Sequence, residues 1–187
     1  MKPADYFDRG ERKNPCRVFV EGEGDSYTFS AAKDLMDRIC AGLYAKGFGK
    51  GDSVAVYAPN DPLAVVCIFS IFRARGVWIP VNANNNALSN GRYLNFVSTR
   101  WLLFHSSVEA EVEKIVSDLP DLQGVFCIDA SSTRFACLDE LLAESDESFI
   151  NELHDPSFSP EDVFSLWPTG GTTGPSKAVE MLNRNIC

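Results

Sequence analysis

Five short apolar runs recur along this chain of 187 residues: SVAVYA (53–58), VWIPV (77–81), WLLF (101–104), VFCI (125–128) and VFSLW (163–167). Each is rich in β-branched or aromatic residues and is bounded by turn formers, the pattern of a strand. Near-continuous apolar strands need cover on both faces. The segments between them supply it. One helix starts at Ser30 as N-cap, sets Leu35, Met36, Ile39, Cys40 and Leu43 on one face, and ends at Gly47. A second opens on Asp61-Pro62, an N-cap followed by a first-turn proline, and runs to about Arg75 before Gly76 stops it. Further helices are predicted near 88–97, 108–118 and 138–149, the last with an acidic outer face at Glu144, Asp146 and Glu147. The alternation predicts an α/β fold, a mostly parallel sheet with helices on both faces.

The polar first two dozen residues read as an arm or edge. Pro80 cannot donate to a ladder, so the end of its strand is expected at an edge or outside the pairing. The asparagines at 82 and 84–86 read as turn chemistry, since asparagine tolerates left-handed backbone. GFGKG (47–51) follows a helix and precedes a strand, the reverse of a dinucleotide fingerprint, and is read as a turn. His105 is read as a strand-end polar residue. The first linker falls near residue 155, at Asp155-Pro156 and Ser159-Pro160, dividing 1–155 from 156–187.

A net charge of −9 argues against nucleic-acid backbones and anionic lipid as partners. Six cysteines lie scattered without C-x-x-C spacing, and Cys40, Cys67, Cys127 and Cys137 sit among apolar neighbours. That usage fits a reducing, cytoplasmic setting. The longest apolar run, 63–72, falls far short of the roughly 20 residues of a membrane span.

One stretch carries chemistry. PTGGTTGPSK (168–177) offers a phosphate glycine amides that can approach closely, threonine hydroxyls and the charge of Lys177. It is not a Walker loop, because Pro175 stands where that pattern needs glycine. By composition alone the stretch reads first as a plain surface turn.

Its order and surroundings resemble the adenylate-forming (AMP-binding) superfamily, whose signature loop reads T-S-G-T-T-G-x-P-K-G. Thr169, Gly170, Gly171, Thr172, Thr173, Gly174 and Lys177 fall on that pattern, with Gly170 in place of serine, Ser176 of proline and Ala178 of glycine. The segment 27–61, with its GKGDSVAVYA turn into a strand, and FRARGVWIPVNA (72–83) resemble the family's opening blocks in order and spacing. Asn183 stands where many members have histidine.

The resemblance, strongest to acyl-CoA synthetases, implies the N-terminal subdomain of that fold over 1–155. The start of the next subdomain follows at 156–187, ending in a strand–phosphate loop–strand element. It implies Thr169 to Gly174 around the β- and γ-phosphates of ATP, with Lys177 offsetting their charge. It implies a carboxylic acid substrate, Mg²⁺ and coenzyme A as co-substrate in the parent enzyme. No residue is assigned as catalytic or as a metal ligand, because the family's later motifs do not occur in 1–187. The chain alone is therefore expected to be inactive, with an apolar face open to self-association. Two other readings stay open: a non-catalytic remnant that binds nucleotides or partners, and an unrelated α/β domain with a coincidental loop.

Overall fold

In the computed structural model, which describes residues 3–130, 132–145, 159–169 and 177–186, the expected N-terminal arm is ordered structure. Helix α1 (Pro3–Lys13) precedes an antiparallel hairpin of β1 (Val18–Glu21) and β2 (Ser26–Thr28). The reason is aromatic. Phe7 of α1 and Phe19 of β1 meet edge to face at 4.8 Å, and both rings pack on Phe29 and Phe69. A few large rings offset a polar composition because each buries so much apolar area.

Helix α2 (Phe29–Ala45) begins earlier than expected, capped by Thr28 rather than Ser30, because the Thr28 side chain accepts the Ala31 N–H. Gly47 does follow its end, at φ +93°. Strand β3 (Ser53–Tyr57) leads to α3 (Pro62–Arg73), where the Asp61 carboxylate accepts the N–H groups of Leu63 and Ala64 and Pro62 takes the first turn. At the helix end Arg75, not Gly76, adopts the left-handed conformation, at φ +62°. Next come β4 (Val77–Pro80) and α4 (Ala87–Phe96), capped by Asn86. The asparagines act here through their side chains and not through left-handed backbone: Asn82 and Asn86 accept the N–H groups of Asn84 and Leu88. The chain continues through β5 (Trp101–Phe104), α5 (Glu109–Ile115), β6 (Gly124–Cys127), β7 (Ala136–Cys137) and α6 (Leu138–Ala143), which is shorter than expected. Asp146 and Glu147 lie outside the described residues. Strands β8 (Val163–Pro168) and β9 (Ala178–Leu182) close the order.

Seven strands form one sheet in the order β7-β6-β5-β3-β4-β8-β9, parallel throughout except for the antiparallel β8–β9 pair. Side chains alternate across it. Val54, Val56, Trp101 and Leu103 face one core with Ile39 and Leu43 of α2, Cys67 and Ile71 of α3 and Leu141 of α6. Ala55, Tyr57, Leu102 and Phe104 face a second core with Leu94 of α4 and Val112 and Ile115 of α5. Both faces are therefore covered, as the apolar strands require. Strand β4 has neighbours on both sides, so Pro80 terminates an interior strand rather than marking an edge. No helix among the described residues is long and apolar enough to cross a membrane.

The order places a topological switch between β3 and β5. The chain leaves β3 through α3 towards β4 on one side, and leaves β5 through α5 towards β6 on the other. In open α/β sheets, ligands bind outside the carboxyl ends of the strands near such a point.

Candidate functional site

The stretch singled out in the sequence joins β8 to β9. Their register pairs Trp167 with Val179 and Pro168 with Ala178. At the mouth of the loop the Thr169 N–H donates to the Lys177 carbonyl at 2.9 Å, and the Lys177 N–H donates to Thr169 Oγ1 at 3.2 Å. The two ends of the expected phosphate loop are thus tied across the hairpin, and Lys177 is exposed. A hydroxyl that accepts one bond keeps a hydrogen to donate, so Thr169 retains a donor for an anion. Gly170, Gly171, Thr172, Thr173 and Gly174 lie outside the described residues. Ala178, which stands where the signature has glycine, is the first residue of β9.

Because β8 runs parallel to β4, the loop leaves the sheet at the edge formed by the carboxyl ends of β3, β4, β5 and β6. Trp78 and Ser165 are the single facing pair between β4 and β8. Side chains add to it. The Ser165 hydroxyl donates to the Trp78 carbonyl at 2.7 Å, and the Tyr93 hydroxyl, from α4, donates to the Leu166 carbonyl at 2.9 Å. Burial pushes the Tyr93 phenol up to about 12, so it stays a neutral donor at ordinary pH. Trp167 meets Trp78 edge to face at 5.5 Å, and Phe164 meets Phe72 at 5.7 Å.

On the same edge, three strands away, the structure joins residues that no sequence spacing linked. His105 follows β5, and its Nε2 lies 3.3 Å from Asp129 Oδ2. Ser106 donates to that carboxylate through its N–H and its hydroxyl, each at 2.6 Å. Burial alone would raise the Asp129 carboxyl, but the Ser106 bonds and the His105 charge hold it below its ordinary value. The Ser107 hydroxyl lies 2.8 Å from His105 Nδ1, which also accepts the Ser107 N–H at 3.1 Å. In the neutral ring this bonding pattern puts the proton on Nε2, facing Asp129. The imidazole caps the turn into α5, the strand-end polar role expected of it, and its free lone pair is engaged by backbone.

Asn183 is built into the fold. Its N–H donates to the Asp162 carbonyl and its side-chain amide to the Ser159 carbonyl, both at 3.0 Å. His154 lies outside the described residues. A cavity of about 490 Å³ lies at the opposite end of the sheet, where Ser53, Val77, Arg100 and Val163 meet, away from the loop. Its charged lining includes the pairs Lys50–Asp162 and Arg100–Asp52, at 2.9 and 2.7 Å.

Comparison with known proteins gives this arrangement its context. A family model described as AMP-binding enzyme matches residues 7–187. The mitochondrial medium-chain acyl-CoA ligase ACSF2 of Bos taurus is 28% identical, over 90% of this chain and 31% of its own length. A crotonobetaine/carnitine–CoA ligase of Escherichia coli is 26% identical over 88% of this chain and 32% of its own. The chain thus spans about a third of the length of these curated relatives. Among solved structures, the long-chain-fatty-acid-CoA ligase FadD1 of Archaeoglobus fulgidus superposes with a TM-score of 0.82. It covers all of this chain and 38% of its own at 23% identity, a likeness of fold.

Proposed function

The chain belongs to the AMP-binding enzyme family, and on that premise we propose that it is the N-terminal portion of an ATP-dependent acyl-activating enzyme. The parent enzyme joins a carboxylic acid to AMP with loss of pyrophosphate, then transfers the acyl group to a thiol, that of coenzyme A. The β8–β9 hairpin carries this reading: it ties Thr169 to Lys177 at the sheet edge where open α/β sheets bind ligands. Thr169, Gly170, Gly171, Thr172, Thr173 and Gly174 surround the outer phosphates of ATP, and Lys177 offsets their charge as a point cation. Mg²⁺ accompanies the nucleotide, and the rest of the parent supplies the remaining contacts. The chain divides near residue 155, and the second unit opens with the hairpin, whose strands extend the sheet of the first.

On its own the chain binds ATP weakly and does not form acyl-adenylate. The exposed Trp167 and Val179, side by side on the hairpin, leave an apolar patch through which it self-associates. Its described cysteines are free, and Cys40, Cys67 and Cys127 are buried, which suits the reducing cytoplasm.

The test is ATP titration by calorimetry, paired with acid-dependent pyrophosphate exchange, on the purified chain. The expected result is measurable ATP affinity that falls about tenfold or more in Lys177→Ala, the loss of one charge-assisted contact, with no exchange. Unchanged affinity in Lys177→Ala would remove Lys177 from the site, and exchange by this chain would sink the claim of inactivity.

A further inference from the structure

We propose that Tyr93 is a positioning residue for the phosphate loop, holding the last residues of β8 to the sheet where the backbone ladder cannot. The proposal rests on the phosphate reading of the hairpin. Its ground is a gap in the pairing. Between β4 and β8 the facing pair is Trp78 and Ser165. Continuing that register by two residues sets Pro80 beside Trp167, and the next β8 residue is Pro168. Neither proline has an N–H to donate. From Ser165 onward, therefore, β8 approaches the loop without the ladder that pairs β3 with β4 over Ser53↔Val77 to Val56↔Pro80.

Tyr93 stands in that gap. It lies on α4, on the second core face, only 7% exposed, and its hydroxyl reaches the carbonyl of Leu166, three residues before Thr169. A helix packed on the sheet thereby fixes the strand end from which the loop departs. Ser165 acts one residue earlier, where the ladder is still present; nearer the loop Trp167 makes only a ring contact with Trp78, so the Tyr93 bond is the sheet-side hydrogen bond nearest the loop among the described residues. A bond at this point sets where Thr169 and Lys177 stand relative to the sheet edge and leaves the rest of the sheet alone.

The experiment uses Tyr93→Phe, which removes the hydroxyl and keeps the ring, with Tyr6→Phe as a matched control. Tyr6 also donates to a backbone carbonyl, that of Ile186 at 3.0 Å, but away from the β8 docking. Amide hydrogen exchange is followed by NMR, and ATP affinity by calorimetry. In Tyr93→Phe the Thr169 amide is expected to exchange faster by about two- to tenfold, the equivalent of one neutral hydrogen bond. Ala55 and Leu102 in the sheet centre should keep their rates, because the opening is local. ATP affinity should fall by a similar factor, and Tyr6→Phe should change neither. An unchanged Thr169 amide overturns the proposal, as does a uniform rise at every amide, which would mean general destabilisation. Unchanged ATP affinity in Tyr93→Phe, with a loss in Lys177→Ala, overturns the positioning role and leaves the phosphate reading intact. Unchanged affinity in both variants, or no ATP binding by the wild-type chain, overturns the two together.

Discussion

The indole N–H of Trp101 donates to the Asp52 carboxylate at 3.2 Å, tying the start of β5 to the turn that opens β3. The same carboxylate accepts the Gly49 N–H at 3.0 Å and Arg100 Nη1 at 2.7 Å. Trp101 is 1% exposed, so its donor has no access to water. Removing the acceptor leaves a buried N–H unmade, at about 1–3 kcal/mol. Asp52→Ala is expected to lower stability by roughly that amount, and Asp52→Asn, which keeps one acceptor oxygen, by less. Urea denaturation midpoints check both. Equal losses would mean that the charge, not the acceptor, matters at this position.

Gly42 reverses a usual rule. In a helix interior, glycine to alanine stabilises by about 1 kcal/mol. A Cβ at Gly42 of α2 would stand 2.2 Å from the Leu141 carbonyl oxygen and 2.9 Å from Leu141 Cγ, so α6 would have to move. Overpacking of this kind costs about 1–3 kcal/mol. Gly42→Ala is expected to destabilise by a net ~1–2 kcal/mol, with α6 amides losing most protection in hydrogen exchange. A stabilised variant would show that α6 is free to shift.

Asp129 makes stability depend on pH. Its folded carboxyl titrates below the ordinary value of 3.8, with the Ser106 bonds and the His105 charge outweighing burial. The charged form therefore stabilises the fold at every pH above that ordinary value. The contribution disappears as pH falls from there through the depressed folded value. Asp129→Asn should be less stable than the parent at pH 6, with the gap narrowing as pH falls below 3.8. A constant gap across thermal melts in that range would assign the loss to shape rather than charge.

Thiol reactivity separates the cysteines. Burial pushes the Cys67 thiol up to about 12 and raises those of Cys40 and Cys127. Cys16 is exposed. Alkylation with iodoacetamide at pH 8, mapped by mass spectrometry, should modify Cys16 well before these three. Early labelling of Cys67 would mean that α3 opens readily.

Strands β3, β4, β5, β6 and β8 and the two long central helices were legible because each owes its character to local pattern: continuous apolar runs for β3 and β5, a heptad-like stripe for α2, and an Asp-Pro start for α3. Helix α1 and the β1–β2 hairpin were not, because Phe7 and Phe19 gain their partners from Phe29 and Phe69, far along the chain. Thr28 and Ser30 carry equivalent hydroxyls, and backbone geometry alone chose the first as the cap. The two described ends of the loop, Thr169 and Lys177, were named from the sequence. The loop's supports were not: Tyr93 and Ser165 act on backbone carbonyls 73 and 87 positions away. Pro80 was the one hint, read as lying at an edge or outside the pairing; it ends a ladder inside the sheet, beyond the facing pair with β8.

That ladder end has a mechanical consequence. Past Ser165, the hairpin projects as a cantilever: antiparallel pairing with β9 makes the beam, and the Tyr93 bond and the Trp78–Trp167 contact brace it close to its root. A beam so mounted deflects at its tip while its root stays fixed. A shift of the described hairpin end, at Thr169 and Lys177, then requires no strand of the parallel sheet to change register.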